Sequence, residues 1–426
     1  MKIGVLTHNY PRFRGDFSGH FVEALSEELI AAGHQVTILA PWDPAYARLP
    51  SDHHIELELY RYAPRPEWHR LGYMRSMRAD VDLRLVNYAL APGLFAAGAN
   101  AVLRWAGRAR PDVLHAHWAV PNGFLGALAS RRYGIPLVVS IPGSDATVAA
   151  QNPLFGAMAR FAFRQAGLVT ACSESLRDVA VETLGADPGK FDLIAYGVDP
   201  KALWPDPAGT AELRASLGIP RDAVVVLAVG RMVYKKGFDV LLRAAGLLRA
   251  EEQAVPAGRG HNGHNGHLGA RPSGEPSFHL VMVGEGDLWQ EWQALAAGMG
   301  LGDRIHWIGT VPMDRMRVYY NLADLAVMPA VTHPATGLAV TVLDAMSCAK
   351  PIVASDAAGN RLAVKEGVNG LIVPEKDEAA LAQALSTLIA DPDLRRRMGA
   401  ESRRLIDEEL GWPQLAARYA EHFSRL

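Results

Sequence analysis

The sequence predicts two doubly wound α/β domains facing across a cleft. Three observations carry that prediction. Short apolar runs alternate with segments of helical periodicity, the grammar of βαβ units and a parallel sheet. The alternation runs twice, from Lys2 to Ala195 and from Ala223 to Ile406, with a break at Tyr196-Gly197-Val198-Asp199-Pro200. The chain of 426 residues is also longer than one core usually holds. The expected domains are therefore 1–199 and 200–411.

The first series opens with the strand Lys2–Leu6, the loop Thr7–Gly19 and the helix His20–Ala32, which Gly33 is placed to cap. Gln35–Ala40 is the second strand. Ligands of such sheets bind beyond the carboxyl ends of the strands. Loop 7–19 lies at that edge, and Gly15 and Gly19 let backbone approach a ligand closely, though they also suit an ordinary turn. Asp112–His115 is a strand leading into Ala116-His117-Trp118. If the strand continues, His115 and His117 share one side; otherwise His117 lies in the loop at the ligand edge. The strand Leu137–Ile141 runs into Pro142-Gly143-Ser144-Asp145, a second loop at that edge. Leu168–Ala171 is followed by Cys172-Ser173-Glu174-Ser175, a helix start with capping hydroxyls.

The second series opens with the fully apolar strand Val224–Val229. Gly230-Arg231 and Lys235-Lys236-Gly237 follow, then a helix from Phe238 to Arg249. Cations in a loop that leads into a helix N-terminus suit a phosphate. Residues 251–277, rich in Gly, Pro, His and Asn, are expected to form a disordered insertion. Phe278–Val283 is a strand ending in Gly284-Glu285-Gly286, and Ile305–Ile308 is a strand ending in Gly309-Thr310. Leu325–Met328 is a strand, Thr332–Gly337 a loop and Leu338–Met346 a helix carrying Asp344. Burying that carboxylate needs hydrogen bonds; a solvated edge position is the plainer alternative. The strands 351–354 and 370–373 and helices 378–390, 392–406 and 412–426 complete the chain.

Composition narrows the function classes. Hydrophobic residues are 49% and charged residues 21%, and the net charge is −2, so nothing global points to nucleic acid. Two distant cysteines, Cys172 and Cys348, point to a reducing compartment, the cytoplasm, and away from a cysteine-based metal site. No signal-peptide core and no run of about 18 apolar residues is present. Residues 60–110 hold nine arginines against three acids, interleaved with Trp68, Tyr73, Tyr88, Phe95 and Trp105. Such a window forms either a solvated basic face or a peripheral contact with an anionic membrane at its inner surface.

The ordered motifs of the second half resemble those of the family 4 retaining glycosyltransferases, which have the GT-B fold of two Rossmann-like domains. Gly230-Arg231 with Lys236-Gly237 is similar to that family's diphosphate clamp, and Gly284-Glu285-Gly286 to its glycine turn. The stretch 303–320 is similar to the segment holding the nucleotide base through its backbone, which includes Ile305 and Thr310. Thr336-Gly337-Leu338 through Asp344 falls on the family's Glu-x7-Glu motif, with Thr336 and Asp344 at the two glutamate positions. In the first half, His115-Ala116-His117 and Gly143-Ser144-Asp145 resemble the strand-end histidines and a His-Gly-Ser-Asp loop, with Pro142 in place of the loop histidine. The final helix, 412–426, resembles one that packs back on the first domain.

The resemblance implies a nucleotide-sugar donor, a UDP- or GDP-sugar, bound mainly by the second domain. It implies transfer with retention to a carbohydrate, lipid-linked or small-molecule acceptor in the first domain. Arg231 and Lys236 would neutralise the leaving diphosphate, so that no metal or cofactor is required. Asp344 would bind the ribose and His117 the donor sugar. Gly15, Gly19, Gly284, Ile305, Thr310, Thr336, Gly337 and Leu338 would complete the donor site, and Ser144 and Asp145 would meet the acceptor. Thr336 cannot carry the charge of a glutamate. It keeps open an alternative: a nucleotide-sugar-binding homologue without transfer activity, acting as a partner or regulatory subunit.

Overall fold

The computed structural model describes the chain except for residues 17, 49–53, 72–76, 79–81, 84, 144, 255–276 and 333–336. The expectations for Ser144, for Thr336 and for nearly all of insertion 251–277 therefore lie outside the described residues. The chain forms two compact units. The first comprises Met1–Gly197, Pro334–Gly337 and Gly411–Leu426; the second comprises Val198–His333 and Leu338–Leu410.

The first unit is built on seven parallel strands: β1 (Lys2–Leu6), β2 (Gln35–Pro41), β3 (Glu56–Tyr60), β4 (Val113–His117), β5 (Leu137–Ile141), β6 (Leu168–Ala171) and β7 (Phe191–Leu193). Their order is β3-β2-β1-β4-β5-β6-β7. The order reverses between β1 and β4, which is the switch point where ligands of open α/β sheets bind. β4 and β5 are buried throughout, as strands covered by helices on both faces must be. One face packs on helices Leu85–Ala109, Phe124–Tyr133 and Pro153–Gln165. The other packs on His20–Ala31 and Trp412–Ser424, so residues from both ends of the chain share a core.

The second unit repeats the plan with six parallel strands: β8 (Val224–Val229), β9 (Phe278–Val283), β10 (Ile305–Gly309), β11 (Leu325–Met328), β12 (Ile352–Ser355) and β13 (Gly370–Val373). Their order is β10-β9-β8-β11-β12-β13, with the reversal between β8 and β11. Phe238, Trp292, Leu241 and Leu385 fill its core against the apolar runs of β8 and β9.

Most strands fall within a residue of their expected bounds, because each is a short apolar run between turn residues. Strand β4 continues through His117, so both histidines belong to it. Three expectations are corrected. The helix carrying Asp344 starts at Val340 rather than Leu338, with Ala339 as its N-cap. Asp145 is not in a loop but is the first residue of helix Asp145–Gln151. The window 60–110 contains the helix Leu85–Ala109, which the sequence reading did not separate from its surroundings.

Candidate active site

At the second sheet's switch point, β8 ends at Val229 and the chain turns into Gly230-Arg231. Three neighbouring loops are knitted by backbone. Gly230 N–H donates to Val283 O at 2.9 Å, Gly284 N–H to Gly309 O at 2.8 Å, and Met232 N–H to Glu285 O at 2.9 Å. Such packing leaves little room for side chains. Gly237 has a left-handed φ of 63°, and a Cβ there would lie 1.9 Å from Pro329 O. Gly237 directly precedes helix Phe238–Ala254, whose first-turn N–H groups are donors of the kind that suit an anion.

Three cations crowd this corner. The stem of Lys236 passes over Gly230, with Cε 3.2 Å from where a Cβ on Gly230 would stand. Burial, then Lys235 and Arg231, push the Lys236 ammonium down to about 8. Burial and Arg231 push Lys235 to about 8 as well. Burial lowers the Arg231 guanidinium too, against the pull of Asp287. Mutually repelling, half-buried cations at a sheet's ligand edge are poised for an anion that would relieve them.

A second helix start meets this corner. Thr341, in the first turn of helix Val340–Ser347, donates its hydroxyl to Val229 O at 3.2 Å. Its N-cap, Ala339, has no side chain to satisfy the first-turn N–H groups. Further along, Asp344 is 6% exposed, and its Oδ2 accepts from the Tyr320 hydroxyl at 3.0 Å. Tyr320 comes from helix Met313–Leu322. Neither Thr341 nor Tyr320 carries a sequence signal, since each pairing depends on the sheet order. Gly284 and exposed Thr310 stand at the same sheet edge, and Leu338 is buried. Ile305 is the exception. It is the first residue of β10, pairing with Leu280 at the far end of the sheet, roughly 13 Å of strand from Gly309.

At the first sheet's switch point, β1 leads into loop 7–19 and β4 into Trp118. Asp16 stiffens the loop, accepting from Arg12 Nε at 2.6 Å and from Ser18 N–H at 3.1 Å. Gly15 is left-handed and open; a Cβ on Gly19 would strike Asn9 O at 2.1 Å. After β4 the chain takes a left-handed turn at Trp118, with φ of 72°. Asn122 Nδ2 holds both His117 O at 2.7 Å and His8 Nδ1 at 2.9 Å. Burial drives His117 down to about 3 and His8 to about 4, so both are neutral near pH 7. Asp145 Oδ2 accepts from Ala119 N–H at 2.7 Å. Burial raises Asp145 to about 7, against the backbone donors around it, so it takes up a proton near neutrality. Gly337 groups with this unit; a Cβ there would lie 2.1 Å from Cys172 Sγ. His8 and Asn122 join this edge without a motif to announce them.

The basic window is partly consumed inside the unit. Arg61 stacks on Trp42 at 4.0 Å, Arg108 pairs with Glu58, and Trp105 is buried against Gly4. Trp68 is exposed, with Arg65 over its ring at 5.2 Å. Among the described residues, no helix is long and apolar enough to cross a membrane.

Two Rossmann-like sheets set the fold, and sequence comparison gives the family. Residues 18–197 match the glycosyl transferase 4-like domain, and residues 209–405 match the glycosyl transferases group 1 domain. The D-inositol 3-phosphate glycosyltransferase of Thermomonospora curvata is 30% identical over 327 residues, covering 74% of this chain and 71% of that protein. That of Streptomyces coelicolor is 29% identical over 343 residues, covering 75% and 70%. Two solved structures are similar over 100% of this chain at 20% identity. Sucrose-phosphate synthase from Thermosynechococcus elongatus has a TM-score of 0.71 with 98% of that chain covered, and Anabaena HepE in complex with UDP has 0.69 with 100% covered. The chain belongs to the group 1, 4-like family of glycosyltransferases, and its fold is GT-B.

Proposed function

We propose that the chain moves a sugar from a UDP- or GDP-sugar to a carbohydrate, lipid-linked or small-molecule acceptor, with retention at the anomeric carbon. The observation that carries this reading is the cluster of Arg231, Lys235 and Lys236 at two helix starts on the switch point of the second sheet. Relatives of known structure hold UDP and UDP-glucose, which favours a uridine nucleotide as the first to test.

In this mechanism the bond between the anomeric carbon and the diphosphate oxygen breaks as the acceptor oxygen bonds to the same face of that carbon. The acceptor's proton passes to the departing diphosphate. Arg231 and Lys236 stabilise the charge that develops there, which is the work a divalent metal does elsewhere. Asp344, steadied by Tyr320, receives the ribose hydroxyls. Gly284, Thr310, Gly337 and Leu338 are the further donor residues of this reading, as are Gly15, Gly19 and neutral His117, and Thr336 is assigned on the resemblance alone. Ser144 and Asp145 face the acceptor. Ile305 drops out of this set because of its place in the sheet.

Thermal-shift screening of nucleotide sugars, followed by hydrolysis and transfer assays with the best one, tests the reading. Stabilisation followed by turnover that withstands EDTA is expected. Stabilisation without turnover on any acceptor mixture turns the reading to a non-catalytic nucleotide-sugar-binding subunit, the role that Thr336 favours. No stabilisation by any nucleotide overturns both. Peripheral membrane attachment through 60–110 has its own test, salt-sensitive co-sedimentation with anionic vesicles, which Arg65→Glu with Trp68→Ala should abolish.

A further inference from the structure

His8 stands just past the end of β1, at the ligand edge of the first sheet. Its two ring nitrogens have different company. Asn122 Nδ2 lies 2.9 Å from His8 Nδ1 and 2.7 Å from His117 O. His117 O is a backbone carbonyl and only accepts, so Asn122 turns its NH2 group to that corner. The opposite amide rotamer would set Asn122 Oδ1 against His117 O, two acceptors 2.7 Å apart with no hydrogen between them. One amide hydrogen therefore goes to His117 O and the other to His8 Nδ1. An amide nitrogen offers no lone pair, so Nδ1 accepts and carries no proton. A neutral imidazole then holds its proton on Nε2. A second proton, on Nδ1, would break the bond to Asn122.

Among the described residues, His8 Nε2 has no hydrogen-bond partner, and the ring is only half-buried. Around it stand other half-buried rings. Trp118 lies 4.4 Å from His8, Phe21 5.5 Å from Trp118 and Tyr196 4.9 Å from Phe21, centroid to centroid. Packed rings stiffen this wall: His117 lies 5.6 Å from Phe21 and 4.2 Å from His115, and His115 lies 5.0 Å from Tyr419. Arg12, in the same loop as His8, is held by Asp16 at 2.6 Å and Asp43 at 3.8 Å. A phosphate favours charged donors, and an uncharged N–H beside aromatic faces is a poor seat for one. The same wall suits a sugar or cyclitol ring, which has apolar C–H faces for the aromatic rings and hydroxyl oxygens on its rim for the donor.

We propose that His8 binds substrate: its Nε2–H donates to a hydroxyl oxygen of a sugar or cyclitol ring seated on the wall of Trp118 and Phe21, and Asn122 is the positioning residue that holds His8 in that tautomer. The identity of the ring rests on the transferase reading above; the tautomer does not. The ring is the donor's sugar or the acceptor, since both present the same hydroxyls. His8 holds a proton where a base needs a lone pair, so it does not take the acceptor's proton.

The full-length protein, labelled with 15N-histidine, tests the tautomer by long-range proton–nitrogen correlation, with His8→Asn or His8→Gln giving the assignment. The wild type should show His8 protonated on Nε2 and accepting on Nδ1. Asn122→Asp puts an oxygen in place of the NH2 group and should draw a proton to Nδ1. Two substitutions split the imidazole. His8→Asn keeps an acceptor where Nδ1 stood and loses the outer donor; His8→Gln keeps the outer donor and loses the acceptor. Binding is read by titration with UDP-glucose against UDP, and with myo-inositol and methyl glucoside. His8→Asn should weaken a ring about two- to tenfold, the worth of one hydrogen bond, and leave UDP unchanged. His8→Gln should restore the affinity, the reverse of what a structural role beside Asn122 would give. Loss with UDP-glucose assigns the donor's sugar, and loss with the free rings assigns the acceptor. A wild-type Nδ1–H tautomer overturns the proposal. So does a His8→Asn variant that binds every ring as the wild type does, a His8→Gln variant no better than His8→Asn, or a wild type that binds UDP and none of the rings. Rings held through His8 with no binding of any nucleotide would sink the transferase reading and leave this contact standing.

Discussion

The carbonyl oxygen of Gly230 occupies the space that any side chain on Gly284 would enter: a Cβ there would stand 2.1 Å from it. Gly284 also has a left-handed φ of 119°, so two requirements meet in one residue. Gly284→Ala should therefore push the Gly230-Arg231 turn outward and abolish protection by UDP in thermal shift. The second unit should keep its circular dichroism, since the clash lies at the sheet edge. Unchanged UDP protection would show that the turn does not set the clamp.

The clamp lysines give the protein a pH signature with two opposite signs. Lys236 and Lys235 sit at about 8 in the folded chain against an ordinary value of 10.5. Between those values the unfolded chain holds more protons, so stability of the ligand-free protein should rise with pH across that window. Diphosphate needs the charged forms, so UDP protection should shrink as pH passes 8. Replacing Lys236 by Arg, which keeps its charge, should flatten the loss of protection. Equal protection at pH 7 and pH 9.5 in the wild type would refute the assignment.

Asp344 and Tyr320 should behave as a buried pair. Replacing Asp344 by Ala strands the Tyr320 hydroxyl, which should cost about 1–3 kcal/mol in urea unfolding. Tyr320→Phe should cost less, about 1 kcal/mol, while weakening binding of uridine nucleotides through a looser carboxylate. The contrast between UDP and 2′,3′-dideoxy-UDP reads the ribose contact. An Asp344→Asn variant that still prefers UDP over the dideoxy analogue to the same degree would remove Asp344 from the ribose site.

Trp412 is 6% exposed, and its ring lies where a Cβ on Gly197 would be, at 2.5 Å. Trp412→Ala should destabilise the first unit by roughly 3–5 kcal/mol, seen as an earlier phase in denaturant unfolding. Deleting residues 411–426 should leave that unit unable to fold cooperatively, because Leu415, Tyr419 and Phe423 share its core with Ile3, Val5 and Val138. A truncated chain with an intact first transition would contradict this.

The strands were legible because each is a short apolar run bounded by turn residues, and β8 and β9 match their expected bounds residue for residue. Strand β3, with Glu56, Leu57, Glu58 and Leu59, alternates polar and apolar residues at every step but is short and half-exposed, and its edge place is set by pairing with β2. The gathering of cations could be read because Arg231, Lys235 and Lys236 are close in sequence. The partners Tyr320 and Asp344, or His115 and Tyr419, are separated by 24 and 304 residues of chain. No local pattern encodes them; only the strand order brings them together. Ile305 was misplaced for a related reason, since a motif match locates a segment but not which end of its strand faces the ligand.

Placing residues 411–426 in the first unit has a consequence for synthesis. A ribosome finishes residues 1–197 long before it makes the helix that covers one face of their sheet. Until then Ile3, Val5 and Val138 lack their lid, while the second unit has time to fold completely. The nascent first unit is thus a natural client for a chaperone holding apolar surface. It is also the unit whose yield should suffer most when translation is aborted near the 3′ end of the message.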